Sequence, residues 1–234
     1  LVAAIEGGDA SANDIATIIA GEPAMCAKLL QLANSSFFRL ARQIKTPEEA
    51  VVHLGFLTVR NLVLSVEVFE TADPLPANSG LNVDLLRNHA LLVGRIASRI
   101  CPPDVPAQAA FLAGVLHEIG LLVLGVGAPR EVSQAIHKAH ETKMPLQAAE
   151  REIIHASHAQ AGAYLLGLWG LPLELMEAVA AHDDPWPPPR TMDPAFDLCT
   201  VTHIANALAN AHTTVSPQLA PHDHLDPELL AALG

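Results

Sequence analysis

Apolar residues recur along this chain at three- and four-residue intervals, the period of helices buried on one side. Sustained alternation, the mark of a half-buried strand, is missing, and aromatic residues are few. The pattern therefore predicts an all-α fold. Ser11 to Ala20 reads as a short helix capped by Ser11, and Pro23 opens a second over 24–33, carrying Met25, Leu29, Leu30 and Leu32. In Thr46-Pro47-Glu48-Glu49 the threonine can cap, the proline suits a first turn, and Glu49 completes a capping box. That helix ends near Gly55 and another covers about 58–69. Further helices are predicted over 83–100, 106–125, 130–142, 145–155, 158–169, 172–182 and 194–211.

Residues 71–82 are rich in Pro, Gly, Asn and Asp and read as a linker. They divide the chain into two helical parts, 1–75 and 76–234. With 234 residues, 50% hydrophobic and 16% charged, the chain is too apolar for disorder. The 25 acidic against 13 basic residues give a net charge of −12 and show no basic run. That balance argues against nonspecific nucleic-acid binding, which needs Lys and Arg against phosphates. The longest uncharged stretch, 153–173, holds His155, His158 and Pro172, so it reads as buried helix and no membrane span is expected. Cys26, Cys101 and Cys199 lie far apart, which excludes a disulfide framework and suggests a cytoplasmic setting. No signal peptide is visible, and the opening Leu1 points to a fragment of a longer protein.

The 12 histidines nearly match the 13 Lys and Arg, and they change the picture most. His89 shares a helical face with Leu85, Leu92, Val93, Ile96 and Ile100, so it is expected to point into the core. His117-Glu118 interrupts the otherwise apolar run 109–124. A carboxylate there is costly unless it is paired or holds a cation. His158 lies with Ile154, Ala161, Gly162 and Leu165, and Gly162 would let a backbone or ligand come close. His182 ends a helix and precedes Asp183-Asp184. Asn206 lies with Cys199, Thr202, His203 and Asn210. Each alone reads as a hydrogen-bonded core or rim group. Five helices each sending one polar group inward read better as a site, and imidazole with carboxylate suits Zn, Fe, Mn or Ni. His53, His137, His140, His212, His222 and His224 read as surface or packing residues.

Several segments resemble the HDOD family, bacterial output domains related to HD-type metal-dependent phosphohydrolases. In the first part these are 21–25 (Gly-Glu-Pro-Ala-Met), 29–38 (Leu-Leu-Gln-Leu-Ala-Asn-Ser-Ser-Phe-Phe), Ile44, 47–51 and Leu54-Gly55. In the second they are 113–120 (Ala-Gly-Val-Leu-His-Glu-Ile-Gly), 158–163 and 169–172. The resemblance implies two helical parts, the second a divergent HD-like bundle. It also implies a set of metal ligands: His89, His117, Glu118, His158, His182 and Asp183, holding one divalent transition metal ion. The sequence departs from the active pattern at three matched positions. Glu118 stands for the Asp of the His-Asp pair, Asp183 for a second adjacent His, and Asn206 for the final Asp. Losing that last anionic ligand argues against efficient hydrolysis, which needs a complete site to activate water. The expected function is a non-catalytic signalling output domain working through protein partners or fused signalling domains. A nucleotide-directed phosphohydrolase is the alternative, with Arg60, Arg95, Arg99 and Arg151 as candidate phosphate holders.

Overall fold

The computed structural model describes residues 44–56, 58–59, 75–183 and 197–212, and the isolated positions 19, 26, 29, 30, 33 and 63. The chain forms two compact units, 1–71 and 72–234. All of the described regular structure is helical. The expected helix over 11–20 with its Ser11 cap, and the Asn34-Ser35-Ser36 and Phe37-Phe38 motifs, fall outside the described residues apart from helical Ile19.

In the first unit, Ile19, Leu29, Ala33, Ile44, Ala50, Val59 and Val63 are buried. Helix α1 (Pro47–Leu54) opens where the sequence pattern places it, with Thr46 Oγ1 accepting from the Glu49 backbone N–H. The full capping box does not form. Glu49 Oε2 reaches one residue further back and accepts from Lys45 N at 2.8 Å. The helix stops at Gly55, whose φ of 83° suits a residue without Cβ.

Part of the expected linker, among the described residues, is structured. Residues 77–79 form a 3₁₀ turn, Ser79 is buried, and Gly80 lies over Ser133 and Ile136. Eight helices follow among the described residues: α2 (Val83–Ile100), α3 (Ala107–Leu116), α4 (Ile119–Gly127), α5 (Pro129–Thr142), α6 (Leu146–Ile153), α7 (His158–Leu168), α8 (Leu173–Ala181) and α9 (Leu198–His212). Asn82 caps α2 through Leu85 N, Ser157 and Gln160 cap α7 reciprocally, and Asp197 caps α9 through Thr200 N. α2 packs on α3 and α9, α7 on α4 and α8, and α8 on α9.

Two expectations are corrected here. The predicted helix over 106–125 is two helices, broken at His117–Glu118. The break falls on the polar pair that interrupts the apolar run, but Glu118 makes no side-chain capping bond to the helix it precedes, so the sequence carries no start signal there. The run is long and apolar enough to cross a membrane, yet most of it is buried within the protein. The inward face of α2 is also rotated. His89 is buried, but with Leu86, Ala90, Val93, Gly94 and Ala97, while Leu85 is 40% exposed. Small residues set that face. A Cβ on Gly114 would stand 2.6 Å from the Gly94 backbone, so α2 and α3 touch main chain to main chain.

A candidate metal centre in the second unit

Six helices, α2, α3, α4, α7, α8 and α9, deliver the expected residues to one place. His89 comes from the middle of α2. His117 and Glu118 form the α3–α4 break, which turns both side chains inward; an unbroken helix would splay neighbours by about 100°. His158 begins α7, His182 and Asp183 follow α8, and Asn206 lies on α9. His89, His117, Glu118, His158, His182 and Asn206 are all buried. The Asp183 side chain, 21% exposed, forms the rim.

The crossing of α4 and α7 is as close as backbones allow. A Cβ on Gly120 would lie 1.9 Å from the His158 carbonyl oxygen, and one on Gly162 would lie 3.2 Å from Gly120 N. Gly162 thus makes the close approach expected of it, and the approaching group is main chain.

Three rings are held by their Nδ1–H. His117 donates to Gly114 O at 2.6 Å, His182 to Val179 O at 2.7 Å, and His158 to Glu150 Oε2 at 2.7 Å. Each keeps Nε2 for the interior. His89 is turned the other way: its Nε2–H donates to Asn206 Oδ1 at 2.9 Å. Asn206 in turn lies 3.4 Å from Asp183 Oδ1 through Nδ2 and accepts from Asn210. His158 Nε2 faces Asp183 Oδ2 at 3.1 Å, His182 Nε2 at 3.3 Å and Glu118 Oε2 at 3.4 Å. His203 Nδ1–H donates to His182 O, tying α9 to the end of α8.

Charge is distributed unevenly across the cluster. Burial, with His182 and His89 nearby, holds the His117 imidazole well below its ordinary value. Burial also lowers His89, against the raising effect of the Asn206 hydrogen bond. Burial would lower His158 too, but Glu150, Glu118 and Asp183 outweigh it and keep that ring protonated. Burial pushes the Glu118 carboxyl up to about 8, although His158 pulls the other way. Asp183 moves the opposite way, because His182 and His158 more than offset its desolvation.

A divalent ion fits these residues. His89 Nδ1, His117 Nε2 and Glu118 Oε2 are buried with no hydrogen-bond partner among the described residues, the state that a ligand would relieve. Donor atoms of His89, His117 and Glu118 lie within 4.8 Å of one another, as do those of Glu118, His158 and His182. Glu118 belongs to both sets. Sequence reasoning missed Glu150, fully buried on α6. Its signal was legible, since it falls on the apolar face with Leu146 and Ala149. Of the four arginines considered for phosphate, Arg60 lies outside the described residues. Arg95, Arg99 and Arg151 occupy exposed positions.

Fold and cluster together define an all-α domain with an HD-like bundle around a buried histidine–carboxylate centre. The chain belongs to the HDOD domain family, whose model matches residues 1–185. That match covers the centre as far as Asp183 and ends before Asn206. The structure is similar to that of a candidate phosphohydrolase from Shewanella amazonensis SB2B, at TM-score 0.68 and 23% identity over 89% of this chain and 73% of that one. It is also similar to a candidate signal transduction protein from Marinobacter aquaeolei VT8, at TM-score 0.60 and 20% identity over 95% of this chain and 49% of that one. An uncharacterized protein of Treponema pallidum (strain Nichols) is 25% identical over 185 residues, 76% of this chain. The chain spans about a third of that relative's length, 35%.

Proposed function

We propose that the protein is a regulatory output domain of bacterial signal transduction in the cytoplasm. It acts through protein partners or fused signalling domains, and its centre binds one divalent transition metal ion (Fe, Zn, Mn or Ni). One observation carries the metal reading: imidazole and carboxylate donors from separate helices converge in the core, with His117 Nε2 and His89 Nδ1 lacking a hydrogen-bond partner among the described residues. His89, His117, Glu118, His158, His182 and Asp183 would hold the ion, with Glu118 common to the two donor clusters. Bound there, an ion supplies positive charge to a buried anionic cluster and ties helix ends together. The signalling reading is supported by family membership and by likeness to the Marinobacter protein.

Asn206 supports a regulatory role over turnover. A neutral amide stands on α9 where the resemblance to HD enzymes expects a carboxylate, and it spends its oxygen on His89. Metal content of protein purified without chelator tests the reading, measured by mass spectrometry beside His117→Ala. About one equivalent of a transition metal, lost in the variant, is the expected result, and no metal in either sample would overturn it. The likeness to the Shewanella protein favours a second reading, hydrolysis of a nucleotide phosphoester. Metal-dependent turnover abolished in His117→Ala would establish that reading instead.

A further inference from the structure

We propose that Glu150 is a positioning residue of the metal centre: its carboxylate fixes the tautomer and aim of His158. The proposal rests on the metal reading above and adds a residue to it. His117 and His182 follow the last turns of α3 and α8, where the carbonyl three residues back accepts their Nδ1–H. His158 is the first residue of α7, and a helix start presents N–H groups, not carbonyls. Its ring therefore needs an acceptor from elsewhere.

Glu150 supplies it from α6. One oxygen, Oε2, accepts both the His158 backbone N–H at 2.9 Å and the ring Nδ1–H at 2.7 Å. Two bonds from one residue to one atom fix the ring's rotation as well as its tautomer. With Nδ1 committed, Nε2 is the atom that would give up its proton to an ion, and it faces Asp183, His182 and Glu118. Capping explains only part of Glu150: it accepts the His158 backbone N–H that Ser157 and Gln160 leave over, but the start of a helix has no use for its bond to the ring. Packing does not explain it either, because a buried carboxylate whose Oε1 is unpartnered among the described residues is a liability to the fold. A carboxylate behind a metal-bound imidazole does account for it.

Titration with Co²⁺, read by affinity and by the d–d absorption of the bound ion, tests this in the full chain. Glu150→Ala is expected to bind Co²⁺ at least about tenfold more weakly, with an altered spectrum. Glu150→Gln keeps an acceptor in place and is expected to recover most of the affinity. Wild-type affinity and spectrum in folded Glu150→Ala would overturn the proposal alone, whereas no Co²⁺ uptake by the wild type would overturn the metal reading with it. A wild-type measurement covers the case in which Glu150→Ala does not fold. Long-range ¹H–¹⁵N spectra of the Zn²⁺-loaded protein should show the His158 proton on Nδ1, and a proton on Nε2 would sink the idea.

Discussion

Without an ion, neighbouring carboxylates raise the His158 imidazole well above its ordinary value, and burial pushes the Glu118 carboxyl up to about 8. Metal uptake near neutral pH must therefore release protons. Calorimetry of Zn²⁺ binding at pH 7 in buffers of differing ionisation enthalpy should show net release, and binding should strengthen as pH rises towards 8. Equal heats in all buffers would contradict the assignment. The sign for the metal-free fold is opposite. Glu118 sits at about 8 when folded against an ordinary 4.5, so its contribution to stability is full below 4.5 and is lost as pH rises through 8. At this scale the sequence showed which residue types belong to the centre, because buried His and Glu stand out against Ala and Leu. It did not show that Asn206 faces His89 or that Glu150 stands behind His158. Those pairings span α2 to α9 and α6 to α7, and periodicity within one helix carries no information about them.

Helix boundaries were readable where side chains mark them and unreadable where they do not. Thr46, Asn82 and Ser157 announce their helices through capping chemistry. The α3–α4 break has no such marker, because what turns the chain there is the fit of Gly120 against His158. The seam between α2 and α3 is likewise built on glycine and alanine, which a search for large apolar residues passes over. Gly120→Ala is therefore expected to cost about 3 kcal/mol or more, since its new carbon has no room against a backbone oxygen. Gly127→Ala is the control. Nothing lies within 4 Å of its Cβ, so it should change stability by no more than about 1 kcal/mol. Chemical denaturation of the two variants decides the matter, and equal midpoints would refute the crossing described here.

The division into units 1–71 and 72–234 bears on how the protein should melt. The residues proposed to hold the ion lie in the second unit, so an ion that binds the native state is expected to stabilise that unit. Zn²⁺ at one hundred times its dissociation constant adds about 2.7 kcal/mol, which for a unit of this size shifts Tm by roughly 5–10 °C. Scanning calorimetry should show one transition moving with Zn²⁺ and returning with EDTA. Two transitions moving together, or neither moving, would count against it. The contact of α4 with α7 has a longer consequence. Where Gly120 rests on the carbonyl of His158, main chain meets main chain, and the fit depends on no donor atom. A bundle seated this way keeps its form whichever donor side chains line its centre. Its architecture can outlast any particular chemistry at the centre.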